Sequence, residues 1–466
     1  MRLTFSLLFS FLIIGCLDAQ QNDSLMIRRI ADEILVNGQA YANLRVLTKD
    51  IGGRLSGSPQ MVKAEQWGRT VLQKSGADNV WMQQCMVPHW LRGGKDEASI
   101  SMLVSANNSK KPDAWLVKKG LNVIALGNSM GTGPKGLNAD LLLVNSFDEL
   151  EAKKDLVKGK IVFYNYKFDP KFITTFTSYG DAVRYRGSGA SRAAKYGAVG
   201  VIVRSMSHST DNVPHTGAMR YDSAYPMIPA LAVGLRDADW LSETLARQKL
   251  NVFIKSNGHF LPDTIGHNVI GELRGTEFPD EIITVGGHLD SWDNCEGAHD
   301  DGAGCVQSIE VLRALKALGY KPRHTIRVVL FANEENGLRG AVKYAEEAKT
   351  KNEKHVFALE SDAGGFTPRG FSITCSAEQM AKMKTWSALL APYGAGEVSE
   401  GGGGSDLGPL NREFKTPVAG LSPDSQRYFD MHHSRNDVFE IVNKRELELG
   451  AVNMAALIYL VDKYGL

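Results

Sequence analysis

Between positions 282 and 362 the chain sets one imidazole and several carboxylates at the ends of short apolar runs, an arrangement suited to holding a divalent metal. Ile282, Ile283 and Val285 lead through Gly286-Gly287 to His288 and Asp290. Twelve residues after His288 come Asp300 and Asp301 in a glycine-flanked turn, and 34 residues beyond Asp300 stand Glu334 and Glu335. A third run, Val356 to Leu359, delivers Asp362, and a late polar stretch carries His432 and His433. Taken singly these pieces have ordinary readings: a hydrogen-bonded core pair, a turn, a solvated helix start. In one order, His288, Asp300, Glu335, Asp362 and His433 supply two imidazoles and three carboxylates, enough for two divalent ions if one carboxylate bridges. Water between such ions loses a proton near neutral pH. Glu334, beside Glu335, is then free to accept that proton and pass it on.

Positioning these groups takes a sheet. Apolar runs ending at glycine or at a charged pair read as buried strands, and ligands gather at the carboxyl ends of strands in open α/β sheets. A helix over about 303–318 follows, with Val306, Ile309, Leu312 and Leu315 on one face. The strand 326–331 leads to Glu334-Glu335, and a helix follows Gly337. Further on come a helix over about 377–390, the loop 400–406, a strand over 417–421 and a closing helix over 444–463. Upstream, Ser58 and Pro59 form a helix start, as N-cap and first helical residue, for a helix reaching about Lys74. A strand over 79–87 ends at Pro88-His89-Trp90. Between about 110 and 260 the texture changes to short strand-like runs separated by turns and a few helices, which predicts an inserted β-rich domain. Its GTGPKG at 131–136 fits the GxGxxG pattern, but a strand follows it directly, so a dinucleotide site is rejected.

Length, charge and cysteines bound the rest. A chain of 466 residues implies two or three domains, and 43% hydrophobic with 23% charged residues is a globular composition. A formal charge of +1 gives no electrostatic case for nucleic acid. The opening MRLTFSLLFSFLIIGC reads as a signal peptide over 1–20, ended by simple cleavage or by lipidation at Cys16. Export follows, to the periplasm or the exterior, with no membrane span after processing. Cys85, Cys295, Cys305 and Cys375 form no CxxC, which argues against zinc-thiolate ligation and leaves room for one or two disulfides.

The stretch GGHLDSWDNCEGAHDDGAG at 286–304 resembles the M28 family of co-catalytic zinc peptidases. The resemblance runs through RLSGS at 54–58, PHW at 88–90, SFDEL at 146–150, GKIVFYN at 159–165 and PHTG at 214–217. It implies a mixed-sheet α/β zinc exopeptidase fold, an α/β/α sandwich built from 21–113 and 261–466. The insert, 114–260, is then similar to a protease-associated domain that frames the substrate cavity. It also implies two Zn2+ per chain: His288 and Asp362 on one ion, Glu335 and His433 on the other, Asp300 bridging. Asp290 orients His288, and Glu334 is the general base. His433 is chosen over His432 because the motif's aspartate, Asp437, lies four residues on, and the family often has a cis peptide at the position of Asp300-Asp301. Where some relatives carry an oxyanion-stabilising tyrosine this chain has His432, which is given that task as a donor. Ser405 and Asp406, in a loop bordering the cavity, are candidate substrate contacts.

The reading is an exported exopeptidase acting on small unblocked peptides, dipeptidase- or carboxypeptidase-like, and a homodimer by resemblance. Aminopeptidase activity on the same metal site is the alternative. A one-zinc glutaminyl cyclase and a non-catalytic binding protein rank lower, because the insert and all five ligand positions are present.

Overall fold

The computed structural model of the chain describes residues 21–104 and 114–466, so the expected signal peptide and Cys16 lie outside the described residues. The strand runs read from sequence assemble into two eight-stranded sheets. The first has the order Asn79–Leu91, His259–Leu273, His324–Phe331, Phe278–His288, Lys354–Glu360, Val418–Pro423, Pro368–Thr374, Glu397–Glu400. Its four central strands, from His324–Phe331 to Val418–Pro423, are mutually parallel. Their carboxyl ends therefore all point the same way.

Alternation along these strands explains why helices cover both faces. In His324–Phe331, Val328 and Leu330 join a core with Leu312 and Leu315 of the helix Ala303–Ala317 and with Leu457 and Leu460 of the helix Lys444–Tyr464. Val329 and Phe331 face the other way, onto Ala341 and Tyr344 of the helix Arg339–Thr350 and Leu410 of Gly408–Phe414. Each such buried aliphatic or aromatic side chain contributes about 1.5–3 kcal/mol. The N-terminal helices complete the first core: residues 21–37 are helical, the break comes at Gly38, and Ile27, Ile30 and Ile34 are fully buried. Ser58 caps the helix Pro59–Lys74, its hydroxyl accepting from Met61 N at 3.1 Å.

The second sheet has the order Ala114–Leu121, Glu97–Val104, Leu250–Lys255, Leu137–Val144, Ile161–Tyr164, Gly200–Arg204, Ala230–Val233, Val123–Ala125. It takes in Glu97–Val104, ahead of the boundary placed at 114. Helices are set among its strands, as the sequence texture suggests. The 20-residue helix Thr175–Ala194 covers one face with Tyr185, Ala190 and Ala193, and Leu235–Leu245 covers the other with Ala238 and Leu241.

A further difference has a physical reason. The strand Asn79–Leu91 runs through Pro88 rather than stopping there, because it is an edge strand and the register shifts between Val87 and His89. An edge position and a bulge are where a strand tolerates a residue with no N–H. The disulfide expectation fails: Cys85, Cys295, Cys305 and Cys375 are all free thiols. Among the described residues no helix is long and apolar enough to cross a membrane.

Candidate metal centre

His288 is the last residue of its strand, and Asp362 lies two residues beyond the strand Lys354–Glu360. Asp300 sits in the irregular turn Ala298–Gly302, where the Asp300-Asp301 peptide is cis. Glu334 and Glu335 follow the strand that ends at Phe331, and His433 follows the short helix Tyr428–Met431. These segments, remote in sequence, converge on one carboxylate. Asp300 Oδ1 is 3.3 Å from His288 Nε2, while its Oδ2 is 3.2 Å from His433 Nε2. His288 Nε2 is also 3.5 Å from Asp362 Oδ1, and His433 Nε2 is 3.1 Å from Glu335 Oε2. Asp300 thus stands between two donor groups, each with its own imidazole and its own second carboxylate.

The donor set fits divalent ions. Asp300 Oδ2 and Glu335 Oε1 are buried without a hydrogen-bond partner among the described residues, so acceptors remain for a cation. The charges say the same. Burial lowers the His288 imidazole, but Asp300 and Asp362 raise it well above its usual value. His433, likewise lowered by burial, is raised to about 10 by Glu335 and Asp300. Glu335 is pushed up to about 8 by burial and by the Asp300 charge, and Asp362 to about 6, chiefly by burial. Positive charge is needed at both imidazoles, and a divalent cation would supply it.

Three supports of this geometry were not assigned correctly, or at all, from the residue types. Asp290 orients His288 through its backbone: the carbonyl takes the Nδ1 hydrogen at 3.0 Å, whereas the nearer carboxylate oxygen is 3.9 Å from Nδ1. The Asp290 carboxylate instead accepts from Glu334 N at 3.0 Å and Glu335 N at 3.3 Å, fixing the turn that presents both glutamates. Asp437, read only as a register marker, accepts from His299 N at 2.7 Å and Asp300 N at 3.1 Å. Arg54 of RLSGS is fully buried and donates to the carbonyls of Leu289, Glu296 and Gly297, clamping the loop between His288 and Asp300.

His432 stacks on His433, with ring centroids 3.5 Å apart, inside a box of Tyr179, Tyr428 and Phe429. Burial, with His433 adding to it, holds its imidazole well below the usual value, so it is neutral and has an N–H to donate. Its Nε2 is 3.7 Å from Asp300 Oδ2. His433 adopts φ +59, and its carbonyl accepts from Thr216 N at 2.9 Å in the second unit. That unit also contributes Arg186, which lines the cavity over the centre. Its Nη2 donates to Tyr179 Oη at 2.6 Å, its Nη1 lies 3.4 Å from His433 Nδ1, and its Nε has no partner among the described residues. Of the two loop residues proposed as substrate contacts, Ser405 lines the cavity and Asp406 is buried behind it.

The model of peptidase family M28 matches residues 268–458. Carboxypeptidase Q of Mus musculus is 35% identical over 91% of this chain and 85% of its own length, and that of Homo sapiens 34% over the same shares. The chain belongs to peptidase family M28. It is a metallo-exopeptidase of that family, with the α/β fold of the M28 zinc peptidases. The crystal structure of a peptidase M28 precursor from Shewanella amazonensis superposes with a TM-score of 0.87 at 32% identity, covering 95% of this chain and 97% of that one. A zinc aminopeptidase from Bacillus subtilis shares the fold at 22% identity and a TM-score of 0.63, over 91% and 95% of the two chains.

Proposed function

We propose that the chain is an exported two-zinc exopeptidase that hydrolyses small peptides with free ends, dipeptides above all. The observation that carries this reading is the position of Asp300, one oxygen toward each imidazole. His288 and Asp362 would hold one ion, Glu335 and His433 the other, and Asp300 both. Zinc bound there supplies a Lewis acid for the scissile carbonyl and lowers the pKa of the attacking water.

The remaining steps belong to the chain's own side chains. Glu334, its backbone held by Asp290, takes the proton from the attacking water and delivers it to the leaving amine. The neutral His432 donates to the oxygen that gains negative charge as the carbonyl is attacked. Arg186 offers a buried guanidinium whose two partners are a phenol and an imidazole, so a substrate carboxylate would be its first anionic partner. In this reading residues 114–260 act as a protease-associated domain that closes the cavity from above with Arg186 and Tyr179. A dipeptide suits relatives named both carboxypeptidase and aminopeptidase, since its single bond adjoins both termini.

Counting zinc in ligand variants tests the centre. His288→Ala and His433→Ala should each lose one of two ions and Asp300→Asn should weaken both. Unchanged zinc in all three would refute the assignment.

A further inference from the structure

Glu360 and Asp406 form a second group of carboxyls beside the centre that the proposed chemistry does not use. Both side chains are 1% exposed. Glu360 closes its strand, two residues before Asp362, and lines the main cavity with Glu334, Asp362 and Ser405. Its Oε2 accepts from Leu407 N at 3.3 Å, while its Oε1 has no partner among the described residues. Neither carboxyl oxygen of Asp406, directly before Leu407, has one either. Buried carboxyl oxygens without donors are costly, and two such groups side by side are costlier.

The glycine loop lies directly against this group. Gly402, Gly403 and Gly404 all have positive φ and all line the cavity. A Cβ on Gly404 would fall 1.8 Å from Glu360 Oε2, so only a bare backbone can lie against the carboxyl. Several glycines in succession are unfavourable for stability. Here they leave a carboxyl pair next to the reacting centre without a side chain on top of it.

Charge decides what the pair would bind. In the proposed centre the charge of two divalent ions is offset by Asp300, Glu335, Asp362 and Glu334. Glu360 and Asp406 come on top of that balance. Arg186 lies at the other end, against His433, whereas Glu360 lies on the side of His288 and Asp362. The cavity, about 2120 Å3, is larger than a dipeptide requires, so its walls do not measure substrate length. A guanidinium at one end and a carboxyl pair at the other can do so.

We propose that Glu360, backed by Asp406, is the subsite for the ammonium group of the substrate's free amino terminus. The inference rests on the peptidase reading and adds to it the end of the substrate that is recognised. Glu360 makes the contact through Oε1. Asp406 is a positioning residue behind Glu360, and the glycine run 401–404 covers the pair with backbone alone.

Binding can be measured separately from turnover, using a ketomethylene isostere of Ala-Ala and its N-acetyl derivative on the zinc-loaded protein. Wild type should bind the free amine about 10- to 100-fold tighter, the scale of one charged hydrogen bond. Glu360→Gln should bring the two affinities together with zinc content unchanged. Asp406→Asn should cut the preference at least several-fold; it keeps the side chain's shape and breaks no hydrogen bond, so it provides the test should Glu360→Gln not fold. Equal affinities in wild type, or an undiminished preference in the variants, would overturn the subsite. So would a third metal ion in wild type that is missing from the variants, because an inorganic cation would then occupy the pair. Wild type that shows the amine preference yet cleaves no dipeptide would contradict the peptidase reading and leave the subsite standing. Equal cleavage of free and acetylated dipeptides would do the reverse.

Discussion

Asp437 shows how much of a metal centre is backbone control. Its carboxylate accepts from two consecutive amides, His299 N and Asp300 N, and so sets where the Asp300 carboxylate points. An amide in its place keeps one acceptor and turns a donor toward an N–H. Asp437→Asn should therefore weaken zinc binding about 10- to 100-fold, measured by competition with a chelator, while the fold survives. Arg186 makes a different kind of contribution. Arg186→Met removes a charge facing the cavity and should raise KM for free dipeptides at least tenfold, with a smaller effect on dipeptide amides, which lack the carboxylate. Equal losses on both substrates would mean that Arg186 only props His433. His288, Glu335 and Asp362 were legible in sequence because each stands at or just beyond an apolar run, whereas Asp300 and His433 were named through the motif that the family resemblance supplies. The supports were not: whether Asp290 works through its carboxylate or its carbonyl depends on a loop conformation that residue type does not specify. Arg186 and His433, 247 residues apart, meet only through the fold.

At the scale of elements, burial made the central strands readable, while glycines made the long helix of the second unit hard to place. Residues 282–288 and His324–Phe331 are flanked by glycine or charge and buried on both faces, so their ends were placed within a few residues. Thr175–Ala194 contains Gly180, Gly187 and Gly189, which obscure a helical pattern. Gly189 is there for packing, since a Cβ would come 2.9 Å from the Tyr164 ring. Gly189→Ala should lower thermal stability by about 1–3 kcal/mol despite alanine's better helix propensity. A stabilised variant would contradict that packing. Glu353 ties the helix Arg339–Thr350 to the sheet by accepting from Arg327 Nη1 at 2.8 Å. Burial raises its pKa, but His355 and Arg327 outweigh burial and depress it to about 2. A depressed carboxyl stabilises the fold above its unfolded value, near 4.5, and loses that contribution as pH falls toward 2. Stability of Glu353→Gln should accordingly depend less on pH across that window, which denaturant unfolding at several pH values would reveal.

The two units meet where the chemistry is. Tyr428, Phe429 and Met431, which lead into His432 and His433, pack into the core of the second unit with Phe168 and Tyr185. Thr216 N holds the His433 carbonyl, and Arg186 closes the cavity from the same side. The strands of the second sheet were recognisable in sequence as a change of texture, but their unit's hold on the second histidine was not, because a contact between two cores leaves no periodicity. Phe429→Ala should cost about 3–5 kcal/mol and lower zinc occupancy at the Glu335 and His433 side first. The central claim, a two-ion centre with Glu334 as its base, is tested most directly by one comparison: zinc content and free-dipeptide hydrolysis of wild type and Glu334→Gln. Two zinc ions per chain in both proteins, with hydrolysis reduced about 10²- to 10⁴-fold in the variant, is the predicted result. Zinc absent from wild type, or turnover retained in the variant, would contradict it.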